Sequence, residues 1–321
     1  MAKMTITNLK AFASAYVDAS KQAGTWTTTT NNLIGLVDKI GKIVTIDGDY
    51  GDKLPELEGD NLPLGRTIEE YFVDLTLPEN FVDPATDSSY DPTNALKPHF
   101  PSVEDCYYSY TLGRKKIATS EAYDNIERGC LTANDAGNIS AKIMEKLEMS
   151  YQAARYAAKR QLIGNMATKA VTAGCVTKIA MPTDTATGEA FIKQVKNDVE
   201  AASDINEGNT LGGVTAGASP SLTLYIKQGI KASIDVDTLA GAFHDEKLAI
   251  PATVKVIKDF GAADDNIYAI LVDPRGLKLH NSYVAVRDQS NGDGDFVNFF
   301  KHFEDTGFIS KSTFVKVYKK A

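Results

Sequence analysis

The stretch NISAKIMEKLEMSYQAARYAAKRQLIGNMATKAVTA, residues 138–173, predicts one long helix, and the rest of the fold can be read outward from it. Apolar residues recur there every three or four positions, and no proline interrupts them. The repeating positions are Ile139, Ile143, Leu147, Tyr151, Ala154, Ala158, Leu162 and Met166. Gly174 follows at a position suited to ending a helix. At ~1.5 Å per residue, this helix would be about 50 Å long.

The predicted helix is basic, with six basic residues against two acidic ones and a net charge of +4. Its charged residues are Lys142, Lys146, Arg155, Lys159, Arg160 and Lys169 against Glu145 and Glu148. Gly164 interrupts the helix at a cost of ~1 kcal/mol relative to alanine. Simple tolerance of this glycine is the favoured interpretation, and a bend point is the alternative.

Upstream of the helix, residues 42–120 differ from it in composition and hold seven of the 11 prolines. Between Asp47 and Asp105, 15 acids face three bases, a net of −12, so the remainder of this −8 chain carries +4. Two strand-like runs, Thr67–Leu75 and Cys106–Leu112, predict a two-stranded ribbon. Long proline-rich excursions are uncommon inside compact domains and are usually functional. We therefore predict an arm that clasps an adjacent copy of the chain, with a solvated acidic loop as the alternative.

The remaining segments mix helices and strands. In chain order they are helical patterns at 9–17 and 33–40, a strand at 176–181, a helix at 189–200, a glycine-rich joint at 208–221, a strand at 222–226, a helix at 234–243, and strands at 253–257, 267–272, 306–310 and 313–320. Because they interleave without the strict alternation of a doubly wound fold, the predicted class is α+β.

The overall composition is that of a folded protein, with 43% hydrophobic and 24% charged residues. No apolar run approaches the ~20 residues of a membrane span, and the N-terminal segment lacks the features of a secretory signal. The cysteines, Cys106, Cys130 and Cys175, are far apart and odd in number, which favours free thiols. The net charge of −8 argues against tight binding of a phosphate backbone.

The stretch NIYAILVDPRG, residues 266–276, offers the strongest candidate for chemistry. Its strand-like run ends at Asp273, and acids at the ends of buried strands often bind metals or act as bases. A catalytic acid needs a partner group nearby, however, and no second motif supplies one. Asp-Pro-Arg-Gly is also a favourable turn sequence. The turn is therefore the favoured interpretation, and an enzyme centred on Asp273 is the alternative.

Other candidate motifs fail on spacing. The glycine-rich joint lacks the Gly-Lys-Ser/Thr of a P-loop. The strings NGDGD (291–295) and DGDYGD (47–52) resemble calcium loops, but the first has His302 at position twelve, where a glutamate is required. The second has Gly51 and Lys53 at two ligand positions and Asp52 at the position that requires glycine, so solvated turns are predicted for both. His99, His244, His280 and His302 form no HExxH, and the cysteines form no CxxC. We therefore predict no catalytic, cofactor-binding or metal-binding residues.

The order of these parts resembles the major capsid protein of tailed bacteriophages, the Hong Kong 97 type, and more narrowly those of short-tailed phages of Gram-positive bacteria. The resemblance lies in a collinear series of segments over most of the chain. These segments are LGRTIEEYFVDL (Leu64–Leu75), NFVDPATDSSYDP (Asn80–Pro92), ALKPHFPSVEDCYYSYTLGRKKIATS (Ala95–Ser120), YAAKRQLIGNM (Tyr156–Met166), DEKLAIPATVKVIKDF (Asp245–Phe260) and IYAILVDPRGLKL (Ile267–Leu279).

The resemblance implies a division into five segments. They are an N-terminal arm (1–41), an extended hairpin over the neighbouring subunit (42–120), a peripheral domain (121–218) with the spine helix 138–173, an axial domain (219–283), and return strands of the peripheral domain (284–321). The acidic hairpin and the basic helix would then meet across a subunit boundary. Each exposed pair there would contribute only ~0.2–1 kcal/mol, so strength would come from buried side chains such as Tyr71, Phe72, Tyr107 and Tyr108.

In function, the resemblance implies a non-enzymatic subunit that self-assembles, as hexamers and pentamers, into an icosahedral or prolate shell around double-stranded phage DNA. Its expected partners are other copies, portal, scaffolding and decoration proteins, and packaged DNA contacted weakly and without sequence specificity. No membrane and no cofactor are expected. The subunit would assemble in the bacterial cytoplasm and reside in the virion capsid. An encapsulin-type compartment is the alternative of the same fold, although the long proline-rich hairpin favours a phage shell.

Overall fold

The computed structural model describes residues 2–4, 44–46, 52–63, 68–73, 83, 85–86, 88, 90–91, 103–107, 109–123, 133–204, 209–212, 221–230, 250–261 and 263–321. The chain divides into two compact units. Unit 1 comprises Met1–Arg66, Tyr110–Ile163 and Lys278–Phe308. Unit 2 comprises Thr67–Ser109, Gly164–Leu277 and Ile309–Ala321.

Helices and strands are both present in the described ranges, as the predicted α+β class requires. The helices are α1 (Ala133–Thr172) and α2 (Thr185–Ala202), with short 3-10 turns at Pro55–Leu57 and Pro274–Gly276. The strands are β1 (Ala2–Met4), β2 (Val44–Ile46), β3 (Glu69–Val73), β4 (Val103–Tyr107), β5 (Ser109–Ala122), β6 (Val176–Ile179), β7 (Thr223–Lys227), β8 (Thr253–Ile257), β9 (Ile267–Val272), β10 (Leu277–Asn291), β11 (Phe296–Ile309) and β12 (Val315–Lys320).

Helix α1 confirms the predicted long helix, with an earlier start than residue 138. It ends as predicted at Gly174, whose φ of 83° lies in the left-handed region that glycine adopts freely. The amide of Cys175 then donates to the carbonyl of Ala170 at 2.9 Å, which closes the last turn. Within the described ranges, neither α1 nor α2 combines the length and hydropathy of a bilayer crossing.

Gly164 is present in α1 because a side chain would not fit there. A Cβ at this position would lie 1.9 Å from the carbonyl oxygen of Phe260. The helix continues through the glycine. The sequence offered tolerance or a bend as its explanation. Simple tolerance is wrong, because the close approach of the Phe260 backbone excludes a side chain, and the bend point stays a prediction.

Unit 1 contains a three-stranded sheet in the order β10-β11-β5. Side chains alternate along β11, and Val297, Phe299 and Phe303 are buried on one face. The ring of Phe303 packs edge-on against Tyr151 of α1, with centroids 5.0 Å apart. The unit therefore buries one face of the sheet together with one face of the helix. A separate short parallel pair joins β1 to β2.

Unit 2 contains a five-stranded sheet in the order β6-β12-β9-β7-β8. The central strand β9 is buried at every residue, and it pairs antiparallel with both β12 and β7. Phe191 of α2 packs against Tyr268 and Tyr318, with ring centroids 5.5 and 5.2 Å away. Helix α2 starts before the predicted residue 189 because Asp184 caps it, accepting from the amide of Thr187 at 2.9 Å.

The predicted two-stranded ribbon is present, but its second strand lies earlier in the chain than predicted. Strands β3 and β4 pair antiparallel, from Glu69 opposite Tyr107 to Val73 opposite Val103. The second predicted run, 106–112, covers the end of β4 and the start of β5, and β5 pairs with β11 instead.

The other predictions vary in outcome. Strands 253–257 and 267–272 are confirmed residue for residue. The sequence missed β10 entirely and found only the end of β11 at 306–310. Strand β10 also runs without a break through the predicted boundary between residues 283 and 284. The helical patterns at 9–17 and 33–40, the helix at 234–243 and most of the glycine-rich joint lie outside the described residues.

Candidate functional site

The turn after β9 in unit 2 holds Asp273, the residue that the sequence singled out. Its carboxylate is fully buried and accepts hydrogen bonds from the amide of Arg275 at 2.9 Å and from the Arg275 Nε at 3.0 Å. The amide of Gly276 donates to the Asp273 carbonyl at 3.1 Å, which is the bond expected of a β-turn. The predicted turn is confirmed. The sequence missed the partner of Asp273, which is Arg275 two residues later.

The turn is also packed tightly at Gly276. A Cβ there would lie 1.9 Å from the Oγ1 of Thr313. The Gly276 carbonyl accepts a hydrogen bond from the amide of Ser310 at 2.7 Å. Asp273 therefore stabilises a tightly packed turn between β9 and the loop before β12. Both of its carboxylate oxygens accept hydrogen bonds from Arg275.

Two of the other motifs that the sequence singled out contain residues of unit 1. Asn291 caps the exposed β10-β11 turn by accepting from the amides of Asp293 and Gly294 at 3.0 and 3.1 Å. The Nδ1 of His280 lies 2.8 Å from the carbonyl of Asp60 in unit 1. His99, His244 and residues 47–51 lie outside the described residues. Within the described ranges, no three His, Cys, Asp or Glu side chains are grouped to hold a metal.

Unit 1 contains a buried row of charged and aromatic side chains that sequence reasoning did not identify. Four residues of α1 face the unit's interior at helical spacing, and none is more than 8% exposed. They are Glu148, Tyr151, Arg155 and Lys159. Their partners are Asp52, Glu58, Asn281, Lys301 and Asp305. We call these nine residues the ionic cluster.

Lys159 lies at one end of the ionic cluster and is only 1% exposed. Its Nζ lies 2.6 Å from an oxygen of Asp52, 2.8 Å from one of Glu58 and 3.0 Å from the carbonyl of Leu54. An ammonium group has three hydrogens to donate, so these three acceptors satisfy it. They all come from residues 52–63, which we call the strap.

Arg155 and Asp305 form the middle of the ionic cluster. The guanidinium of Arg155 donates to Glu58 at 2.5 Å, and its Nε lies 3.4 Å from Asp305. Burial raises the pKa of the Asp305 carboxyl above its ordinary value, although Arg155 and a hydrogen bond from Asn281 oppose the shift. Asn281 donates to Asp305 at 3.1 Å and to the Tyr151 hydroxyl at 3.0 Å.

Lys301 and Glu148 form a buried ion pair at the far end of the ionic cluster. The ammonium of Lys301 also lies 4.0 Å from the centre of the Tyr151 ring, in cation–π contact. Burial lowers the pKa of the Lys301 amine, and the charge of Glu148 opposes that shift. Gln152 donates to the other Glu148 oxygen at 2.9 Å. The cluster therefore ties the strap, α1 and the β10-β11 hairpin together inside one unit.

These contacts correct the predicted partners of the acidic residues between Asp47 and Asp105. The sequence predicted that these acids meet the basic helix across a subunit boundary. For Asp52 and Glu58 that prediction is wrong, because both pair with α1 of their own chain. The reason is that Leu54 and Leu57 of the strap are buried, at 1% and 0% exposure, which holds the neighbouring acids against α1.

Comparison with known proteins agrees with this architecture. The family model of Phi29-like phage major capsid proteins matches residues 5–318. The major capsid proteins of Bacillus phages PZA and B103 are each 23% identical to the chain, over 89% and 84% of its length. The chain spans about three fifths of these relatives, 62% and 59% of their lengths.

Among solved structures, the capsid structure of Staphylococcus phage Andhra matches with a TM-score of 0.61 at 14% identity, covering 86% of each chain. This likeness identifies the fold and confirms the α+β capsid architecture that the sequence resemblance implied. With the family match over nearly the whole chain, the resemblance itself is confirmed. The chain belongs to the Phi29-like phage major capsid protein family and has a Hong Kong 97-like capsid fold.

Proposed function

We propose that the chain is a shell subunit whose copies self-assemble into the icosahedral or prolate capsid around a double-stranded phage genome. The observation that carries the proposal is the family match over residues 5–318. The ionic cluster supports it, because a shell subunit must keep one conformation, and buried ion pairs favour one arrangement of the strap, α1 and the β10-β11 hairpin that they join.

The proposed layout follows the resemblance. Residues 1–41 form an arm, 42–120 a hairpin, 121–218 a peripheral domain, 219–283 an axial domain and 284–321 the return strands. The strap and β5 are the exceptions within the hairpin, since the strap pairs with α1 and β5 pairs with β11 of the same chain. The part that reaches an adjacent copy is therefore the stretch between the strap and β5, where Asp74–Asp91 contains five acids and no lysine or arginine.

The proposed partners are other copies in hexamers and pentamers, portal, scaffolding and decoration proteins, and DNA bound weakly and without sequence preference. We place assembly in the host cytoplasm and the mature subunit in the virion. The proposed role is structural and not enzymatic. The saturated hydrogen bonding of Asp273 supports this, because a catalytic acid needs an oxygen available to its substrate.

Electron microscopy of the expressed full chain tests the proposal. Closed shells or free capsomers are the expected result, and a small discrete oligomer would contradict it. The contents of any shell provide a second test. Packaged DNA during phage growth supports a capsid, whereas an enzyme cargo would instead indicate a compartment of the encapsulin type.

A further inference from the structure

We propose that the loop of residues 310–313, which we call the anchor loop, fixes the direction of the β3-β4 ribbon, and that Glu70 is the residue positioning the ribbon for shell assembly. The inference deepens the proposed function and rests on it, since it assigns the point at which the hairpin is attached. All of the contacts that support it lie within unit 2.

The first observation is a three-donor cage around the Glu70 carboxylate. One oxygen accepts from the hydroxyls of Ser310 and Ser312, each at 2.6 Å. The other accepts from the amide of Lys311 at 3.2 Å. Hydrogen bonds to an ionised acceptor are roughly twice as strong as neutral ones. Donors on both oxygens also fix the carboxylate in one orientation, which a single bond would not do.

The second observation is that the anchor loop is formed by bonds that do not involve Glu70. The Ser310 hydroxyl accepts from the amides of Ser312 and Thr313 at 3.1 and 3.2 Å, while its own hydrogen goes to Glu70. The amide of Gly212 donates to the Lys311 carbonyl at 3.0 Å. Ser310 is only 1% exposed. The cage is therefore preorganised, and Glu70 enters a site that already exists.

The third observation links the anchor loop to the centre of the five-stranded sheet. Ser310 donates its amide to the carbonyl of Gly276, in the turn that Asp273 builds at the end of β9. Gly276 in turn lies so close to Thr313 that a Cβ would clash. Short contacts therefore connect Glu70 to the anchor loop and the anchor loop to the end of β9. The turn that Asp273 stabilises is the part of unit 2 to which the anchor loop is bound.

A ribbon of two strands needs such an attachment. An isolated two-stranded hairpin is marginally stable in water at best, and β3 and β4 pair over only five residues each. Glu70 faces Cys106 in that pairing, at the second position of β3. A carboxylate fixed there holds the base of the hairpin, and a small error in direction at the base grows with distance along the arm.

The test uses the full chain with Glu70→Gln, the double variant Ser310→Ala/Ser312→Ala, their combination, and Glu189→Gln as a control. Glu189 is exposed on α2, so the control removes the same charge without touching the cage. Hydrogen exchange of unassembled subunits should be at least tenfold faster across residues 103–107 in Glu70→Gln and in the serine variant, and unchanged across β9. The combined variant should add little, because both changes break the same contact.

Shell yield is the second measurement. The fraction of subunits in closed particles should fall at least fivefold in Glu70→Gln and stay at the wild-type level in Glu189→Gln. Unchanged exchange in the ribbon would overturn the anchor. Faster exchange with a normal yield and diameter of particles would overturn the assembly role of Glu70. A wild-type chain that forms neither shells nor capsomers would instead overturn the proposed function, and the exchange result would still decide whether the anchor exists.

Discussion

The Nζ of Lys159 lies 2.6 Å from the Oδ2 of Asp52, although 107 residues separate them in sequence. This contact holds the strap, residues 52–63, against α1 of the same chain. It joins two charges of opposite sign that the sequence assigned to different molecules. Asp52 and Glu58 are consequently paired within their own chain.

Glu148→Gln should destabilise the subunit more than Asp52→Asn. Both side chains of the Glu148–Lys301 pair are nearly buried, at 3% and 6% exposure, so removing the acid leaves an uncompensated charge and costs about 3–5 kcal/mol. Asp52 is 28% exposed, and Lys159 retains Glu58 and the Leu54 carbonyl, so its loss costs about 1 kcal/mol. Urea unfolding measures both, with the exposed Glu189→Gln as the control. Equal losses in the free energy of unfolding for the two variants would contradict the burial of the Glu148–Lys301 ion pair.

Gly164→Ala should lower stability although alanine is the better helix former. The propensity gain is ~1 kcal/mol, but the new methyl would meet the Phe260 carbonyl at 1.9 Å, and relieving that overlap costs more than the gain. The matched control is Ala157→Gly at an exposed position of the same helix, which should cost ~1 kcal/mol through propensity alone. A stabilised Gly164→Ala subunit in thermal unfolding would show that the Phe260 backbone can move away.

Asp305→Asn should remove one component of the pH dependence of stability. The folded-state pKa of Asp305 lies above its unfolded value, so its contribution is present below the unfolded pKa of about 3.9 and is lost as pH rises through the folded pKa. The wild type should therefore lose stability relative to Asp305→Asn on going from acid toward neutral pH. Denaturant unfolding of both proteins over this range measures the difference. A difference that stays constant, or that changes in the opposite direction, would contradict the assigned shift.

Deletion of Asn80–Pro98 should leave a folded subunit that cannot close shells. The deleted stretch lies beyond the strap, so the contacts of the ionic cluster remain. Circular dichroism and thermal unfolding should match the wild type, while electron microscopy should show no complete particles. Full-sized particles from the deletion variant would contradict the role of the hairpin as an arm between copies.

Isolated subunits should bind duplex DNA weakly at physiological salt. The chain carries a net charge of −8, and two of its basic side chains, Lys159 and Lys301, are buried in ion pairs and cannot reach a phosphate. Non-specific binding by basic surfaces is typically ~10⁻⁴–10⁻⁶ M, and this chain should lie at or beyond the weak end. Fluorescence anisotropy with a labelled duplex measures the affinity. A submicromolar Kd would contradict this prediction.

Sequence reasoning worked where one periodicity covered a whole element. The repeat from Ile139 to Met166 located α1, and the apolar run 267–272 gave β9 residue for residue. It failed at β11 because the buried face of that strand carries Lys301 and Asp305 among its aromatic residues, which breaks the apolar alternation. The burial of Lys301 and Asp305 depends on their partners on α1, which no local pattern in the strand indicates.

In the candidate sites, too, only features with a local sequence signal could be predicted. Asp273 and its turn could be predicted because Asp-Pro-Arg-Gly is a local signal. The ionic cluster could not, because its contacts join Asp52 to Lys159 and Glu148 to Lys301 across 107 and 153 residues. The cage around Glu70 depends on a loop 240 residues later, and no local pattern marks either end.

The opposite charges of the ionic cluster neutralise one another, and this changes the electric potential around the subunit. Opposite charges a few ångströms apart leave almost no field at a distance of one Debye length, about 8 Å in physiological salt. Arg155 and Lys159 are matched in this way by Asp52, Glu58 and Asp305. An approaching molecule therefore does not experience the formal +3 of α1, and any long-range attraction to this element originates at solvent-facing lysines such as Lys142 and Lys146.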